Sequence, residues 1–239
     1  MTRKILVALV PMAVAGTAIA QPSEILASQD YMSSGFFTSD FLRGEEANSG
    51  RASHRATSPT IFGVTGETAY FAFDFDPMAF AGPVSEAVFR VETVAPGFFA
   101  EPSPESPADI SIHSLTADPL ASVDQSLAGG AGSWLDFRDS QITTSSVVST
   151  TSLDGLGVFD WDITSLVNEW IANGDSNFAY TIGTGALLDE DGGAAAAFVN
   201  SSYIGLTGDE VTARIVIIPA PGALALLGMG GVACVRRRR

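Results

Sequence analysis

Apolar and polar residues alternate with a period of two along several short runs of the chain, as is typical of half-buried β-strands. In residues 69–76, Phe71, Phe73 and Phe75 share one face, and Tyr70 points to the other. The further runs that we interpret as strands are residues 87–94, 110–113, 158–163, 180–182, 195–200 and 214–218. Glycine and Asp-Gly turns separate most of them, which predicts a series of short strands.

One stretch has helical periodicity instead. Residues 165–173 carry apolar side chains at spacings that place them on one side of a helix, namely Leu166, Val167, Trp170 and Ile171. Asp162 or Thr164 can cap the start of this helix, and Gly174 can end it. Many short strands with a single short helix predict an all-β fold, an antiparallel jelly-roll-like β-sandwich over residues 21–218.

The first twenty residues have the layout of a secretory signal peptide. A positive start at Arg3 and Lys4 is followed by an apolar run, and Ala18 and Ala20 form a small-x-small cleavage site before Gln21. We predict a signal peptide over residues 1–20. The alternatives are an N-terminal anchor or a buried helix.

The last 21 residues, 219–239, also have three parts. Pro219-Ala220-Pro221 ends the preceding strand, and residues 222–235 are apolar and uncharged. The chain then closes with the basic cluster Arg236, Arg237, Arg238 and Arg239. A helix over the apolar part would reach about 21 Å, short of the roughly 30 Å hydrocarbon core. Such a segment can arrest export with the arginines in the cytoplasm, but it makes a poor permanent anchor.

This order of prolines, short apolar segment and terminal arginines resembles the PEP-CTERM sorting tail, also known as the ice-binding protein C-terminal domain. Ala220 departs from the Glu in the family's name. The resemblance implies an exosortase as processing partner in a Gram-negative-type bacterium. It further implies transient association with the inner membrane, removal of the tail and delivery to the cell surface or extracellular matrix. The alternative is a plain single-span tail anchor.

The charge of the chain excludes a phosphate-driven nucleic-acid binder, since the net charge is −15. Six of the 12 basic residues lie in the two terminal segments. Six arginines therefore face all 27 acidic residues in the middle, a balance of −21. One Cys, Cys234 in the tail, and two His exclude a disulfide framework and a Cys/His zinc site.

A second resemblance covers residues 35–218, which look like the DNRLRE-type β-sandwich modules of secreted bacterial proteins. The segments that carry it are residues 70–75, 86–91, 159–167 with Trp170, Gly174, Asn177-Phe178 and 198–201. The hexapeptide that names the family is absent. The resemblance implies an adhesive or structural module and supplies no catalytic residue.

Motifs for catalysis are mostly missing from the chain. A Ser/His/Asp triad would need His54, expected in a polar loop, or His113, expected on the polar face of a strand. Residues 155–157 and 183–185 each hold two glycines without a third, and we interpret them as turns. The carboxylates available for glycoside hydrolysis are Asp74, Asp76, Asp160, Asp162 and Glu169. We expect Asp160 and Asp162 to face solvent or to cap the helix.

Two further groups are candidates for binding. Asp189, Glu190 and Asp191 precede two glycines and offer hard oxygen ligands for calcium; the alternative is an exposed acidic loop. Trp134 and Tyr203 are candidate ligand-facing aromatics for carbohydrate, because neither lies in a clear apolar period. The remaining tryptophans, Trp161 and Trp170, are expected in the core.

These patterns predict an exported, non-enzymatic surface or matrix protein. Its β-sandwich would be structural or adhesive, with exopolysaccharide as a possible partner and calcium as the one candidate cofactor. A secreted polysaccharide hydrolase is the alternative. A cleft with paired carboxylates would favour the hydrolase, and a flat face with exposed aromatics would favour a binding module.

Overall fold

The structure is a computed structural model that describes residues 23–34, 41–44, 53–57, 60–61, 64–65, 68–80, 82–95, 101–117, 122, 134–174, 180–186, 195–199 and 211–219. The strands are β1 Ser23–Ser34, β2 Phe41–Gly44, β3 Ser53–Thr57, β4 Thr60–Ile61, β5 Val64–Thr65, β6 Thr68–Phe73, β7 Val84–Val94, β8 Ala108–Ser114, β9 Val147–Leu153, β10 Val158–Asp162, β11 Tyr180–Ala186, β12 Ala195–Val199 and β13 Arg214–Pro219. The helices are α1 Trp134–Gln141 and α2 Thr164–Asn173, with 3-10 turns at Pro77–Ala79 and Thr144–Ser146. The predicted all-β, antiparallel character is confirmed.

Eleven strands form one nearly closed sheet in the order β3-β12-β7-β13-β1-β6-β11-β8-β9, with β10 beside β7 and β2 beside β1. Strand β1 belongs to both halves of this sheet. Its first part, Ser23 to Leu26, pairs with β13, and the part from Ala27 onward pairs with β6, with a register shift between Ala27 and Gln29. The sheet thereby turns back on itself, and β9 approaches β10, where Thr151 Oγ1 donates to the Asp160 carbonyl at 2.9 Å.

Aromatic side chains from both halves of the sheet meet in the enclosed core. The ring of Phe89 on β7 lies 5.2 Å from that of Phe71 on β6 and 5.7 Å from that of Trp161 on β10. The indole Nε1 of Trp161 donates to the Ile110 carbonyl of β8 at 2.8 Å, so the largest core side chain also has its polar atom satisfied. Trp161 and Trp170 are both buried, as predicted.

Helix α2 follows the prediction within one residue. Asp162 Oδ1 accepts from the Thr164 backbone N–H at 2.9 Å, and Gly174 ends the helix with a φ of 66°. The Asn168 side chain accepts from the Val84 N–H at 2.7 Å and donates to the Val84 carbonyl at 3.2 Å. Helix α2 is therefore fixed to the start of β7 by polar contacts as well as by its buried apolar side.

Helix α1 was not predicted, and it changes the burial of the strands beneath it. Phe137 packs edge-on against Tyr70, with ring centroids 6.1 Å apart. Tyr70 is buried there, while Phe71 and Phe73 lie in the main core, and all six residues of β6 are buried, so the expectation of a half-buried strand was wrong for β6. The expected turn at residues 183–185 was also wrong, because both glycines lie in β11. A Cβ on Gly183 would lie 2.7 Å from Ile142 Cδ1, so the glycine makes room for this cover.

Candidate binding face

The outward side of strands β10, β7, β13 and the first part of β1 has no covering element within the described residues. We call it the open face. The alternation of β7 places Phe89 inward and its neighbours Val88 and Arg90 outward. The charged side chains of the open face are Glu24, Glu86, Arg90, Glu92, Asp160, Asp162 and Arg214.

Four of these side chains form a row across four adjacent strands. Arg90 lies directly opposite Asp160 on one side and Arg214 on the other. Arg90 donates from Nε to Asp160 Oδ1 and from Nη2 to Oδ2, both at 2.7 Å. Arg214 Nη1 donates to Glu24 Oε2 at 3.0 Å. The charged row, Asp160–Arg90–Arg214–Glu24, therefore runs acid, base, base, acid.

The charged row contributes little to the stability of the fold. Its side chains are 22% to 49% exposed, and exposed ion pairs contribute about 0.2–1 kcal/mol. Two like charges directly opposite each other are destabilising. The pKa of Arg90 is raised by its hydrogen bond to Asp160, with burial opposing and the charges of Asp160 and Glu24 assisting. The row is an ordered array of donors and acceptors rather than a major support of the sheet.

Apolar side chains border the charged row on its outermost strands. Leu26 on β1 is 55% exposed and lies opposite Arg214, and Val158 on β10 is 48% exposed and lies opposite Glu92. They are two of the four large apolar side chains that are exposed in the described part of the chain. The open face thus combines a polar centre with apolar margins.

Three of the five carboxylates considered for catalysis, Asp76, Asp160 and Asp162, have partners within the chain. Asp160 faces solvent and holds Arg90, and Asp162 holds the first turn of α2, so both expectations are confirmed. The pKa of Asp162 is lowered by hydrogen bonds from the Thr164 hydroxyl and backbone N–H. Asp76 Oδ1 accepts from the Met78 N–H at 2.9 Å and caps a 3-10 turn. These three groups already serve ion pairing and capping.

The two histidines do not lie where the sequence placed them. His113 was expected on a polar strand face, but it is 4% exposed. Its Nδ1 lies 2.9 Å from Ser146 Oγ, a hydroxyl that also contacts the Gln141 carbonyl and the Thr143 N–H. Burial lowers the pKa of His113 to about 4, with a backbone hydrogen bond of Thr143 opposing. This geometry is that of an enclosed structural histidine.

His54 was expected in a polar loop, but its backbone belongs to β3, opposite Phe198. Of the two candidate ligand-facing aromatics, Trp134 begins α1, and Tyr203 lies outside the described residues. Pro219 is the last residue of β13, where the sequence predicted a strand to stop. The other predicted site residues outside the described part are Ala18, Ala20, Gln21, Asp189, Glu190, Asp191, Ala220, Pro221, Arg236, Arg237, Arg238 and Arg239.

Within the described ranges, no three His, Cys, Asp or Glu side chains come together as a metal would require. No helix in the same ranges has both the length and the apolar character needed to cross a membrane. The candidate calcium loop and the apolar tail lie outside these ranges.

The charged row was not predicted from the sequence. The alternation of residues 87–94 already points Arg90 outward, but its position opposite Arg214 depends on a strand more than a hundred residues later.

No known family model matches the chain, and no curated protein matches its sequence.

Proposed function

We propose that the chain is an exported surface or extracellular-matrix protein that an exosortase sorts. Its middle part, residues 21–218, would be a non-catalytic, jelly-roll-like sandwich with a structural or adhesive role. Residues 1–20 would be removed as a signal peptide, and residues 219–239 would act as the sorting tail and associate transiently with the inner membrane. The observation that carries the non-catalytic role is that four of the described candidate groups, Asp76, Asp160, Asp162 and His113, are already engaged with partners inside the chain.

Three structural roles support this interpretation. Asp160 holds Arg90 in a two-bond ion pair, and Asp162 binds the first turn of α2. His113 is enclosed beside Ser146, whose hydroxyl is engaged with backbone groups. A general acid or base must reach a substrate proton, and an enclosed imidazole cannot do so. An open outer face is instead suited to contact with a partner or a polymer.

The sandwich itself is supported by the path of β1. One strand pairs with β13 in one half of the sheet and with β6 in the other, which is how a strand links two packed layers. The aromatic contacts of Phe89 with Phe71 and Trp161 lie between these halves. The surface they leave outward is available for an adhesive role.

The sorting proposal is tested by expressing the full chain in two Gram-negative-type hosts, one with an exosortase and one without. Cell fractions are separated, and the ends of the recovered protein are determined by mass spectrometry. We expect a product that begins at Gln21 and lacks Arg236–Arg239, located at the surface or in the matrix, in the first host only. A chain with both ends intact in the cytoplasm of both hosts would overturn the proposal.

Variants locate the signal within the tail. Replacing Pro219 and Pro221 together by alanine is expected to reduce processing, whereas Pro107→Ala, in a polar loop of the middle part, is expected to leave it unchanged.

The recovered protein is also incubated with matrix and cell-wall polysaccharides. Release of reducing sugar would establish the hydrolase alternative. A difference between calcium and chelator would support the proposed role of Asp189, Glu190 and Asp191 in calcium binding.

A further inference from the structure

We propose that the open face binds a neutral, hydroxyl-rich polysaccharide through the charged row Asp160–Arg90–Arg214–Glu24. This inference rests on the adhesive role proposed above and names its ligand class. The row spans three strand spacings, about 14 Å. It is therefore long enough to contact consecutive sugars of an extended chain.

The guanidinium groups of the row are held in place and still have free donors. Arg90 uses Nε and Nη2 for Asp160, and Arg214 uses Nε for the Thr212 carbonyl and Nη1 for Glu24. Within the described residues, Arg90 Nη1 and Arg214 Nη2 have no hydrogen-bond partner. Each guanidinium carries five N–H donors, and each carboxylate has about four acceptor positions. A vicinal diol can donate to the carboxylate and accept from the guanidinium beside it.

The charge of the open face selects a neutral ligand over an anionic one. Two arginines stand among five carboxylates, and both arginines are already paired with an acid. A uronate polymer would meet a net negative surface, and so would a second copy of this chain, whose net charge is −15. A neutral polyhydroxyl chain meets no such repulsion, because its hydroxyl groups bond to fixed donors and acceptors.

The apolar margins fit the same ligand. Leu26 and Val158 lie on the two outermost strands and are about half exposed. The C–H faces of sugar rings are apolar, so they can cover such side chains while their hydroxyl groups face the row. The row contributes little to the stability of the fold. Contact with a ligand therefore explains its ordered geometry better than a structural role does.

The test measures retention of the recovered exported protein on an insoluble neutral glucan and on a uronate polymer, at about 0.15 M and about 1 M salt. The variant R90Q/R214Q removes both guanidinium groups. The variant R90D/D160R restores the ion pair with its polarity reversed. Asp109→Asn removes an exposed carboxylate on β8, away from the open face, and is the matched control. Unfolding midpoints confirm that each variant folds.

We expect retention on the neutral glucan, nearly independent of salt, because no net charge is exchanged. R90Q/R214Q should weaken it by about tenfold or more, and D109N should leave it within about twofold. R90D/D160R keeps an ion pair at these two positions, so its unfolding midpoint should stay close to that of the wild type. Its retention should fall, because the donor and the acceptor have exchanged strands, whereas a purely structural ion pair would leave both unchanged.

Equal retention of wild type and R90Q/R214Q would overturn the proposal, as would stronger retention on the uronate polymer or none on the neutral glucan. If the wild type is not retained but forms a dimer that R90Q/R214Q abolishes, the open face would be an interface with a second copy. That result would equally overturn the proposal. A protein that is exported and trimmed but not retained contradicts this inference alone. Failure of export contradicts the proposed function and is seen in cell fractions, independently of retention.

Discussion

The sheet has two outward faces built from strands with similar alternation, and they differ in solvent exposure. On one, Tyr70 of β6, Gly183 of β11 and His113 of β8 lie side by side beneath α1 and the turn that follows it, and we call this the covered face. On the open face, Arg90 and Arg214 lie side by side and remain accessible. The comparison shows that alternation along a strand determines which side chains point inward and which point outward. Whether the outward side chains are exposed to solvent depends on a separate segment that covers them or does not.

The two faces also differ in what their polar groups can do. On the covered face, the Nδ1 atom of His113 is held by the Ser146 hydroxyl, which itself contacts backbone groups of the following turn. On the open face, the polar groups bond to each other across strands and keep spare donors towards solvent. The covered face supports the fold, and the open face is available for binding. The following substitutions test this division.

The largest effect is expected from Phe137→Ala on the covered face. Phe137 is 6% exposed and packs on Tyr70, so its truncation leaves a cavity under α1. The loss should be about 3 kcal/mol in the free energy of unfolding, measured by urea titration. Val88→Ala on the open face is the comparison variant and should lose under about 1 kcal/mol. Equal losses at the two positions would contradict the division between the faces.

A pH effect of similar size is expected from His113. Its pKa is about 4 in the fold against 6.5 as a free side chain, so the unfolded chain takes up the proton first on acidification. Stability should therefore fall as the pH drops from about 7 to 4, by about 3 kcal/mol from this group. His113→Gln should lack that part of the slope in urea unfolding curves. Parallel pH profiles for the two proteins would show that His113 is not enclosed in its neutral form.

The smallest effect is expected from the ion pair of the open face. A double-mutant cycle of Arg90→Ala and Asp160→Ala should give a coupling of about 0.2–1 kcal/mol in the free energy of unfolding. The coupling should decrease between low salt and about 1 M salt, because exposed charges are screened. A coupling above about 2 kcal/mol that salt leaves unchanged would make the row a structural element and remove the contrast with the covered face.

The spacing of apolar residues along the chain predicted the features of the fold that depend only on neighbouring residues. The inward side of β7, the helix predicted over residues 165–173 and its end at Gly174 follow from spacing and from the conformation of one glycine. Helix α1 could not be predicted in this way, because Trp134–Gln141 has no clear apolar stripe, and its contacts, Phe137 on Tyr70 and Gln141 on Thr116, are to residues distant in the sequence. The buried ring of His113 likewise contacts a segment distant in the sequence, the turn that holds Ser146.

The candidate site was predictable only in part, for a similar reason. Residues 87–94 place Arg90 outward, but the pairing that puts Arg214 beside it joins segments far apart in the chain. Pairing partners and register are tertiary properties, which alternation within one strand does not determine. The candidate ligand-facing aromatics, Trp134 and Tyr203, lie outside any clear apolar period in the sequence. In the structure Trp134 begins helix α1.

The pairing of β1 with β13 has a consequence for the order of synthesis. Ser23 lies opposite Ile217, so the first described strand acquires its neighbour on that side only when almost the whole chain has emerged. Such distant closure slows folding, because a long loop must be ordered before its contacts form. A nascent chain of this protein therefore leaves this side of β1 unpaired until β13 emerges from the ribosome. Such a delay would suit the export proposed above, because a chain passes through a narrow translocation channel unfolded.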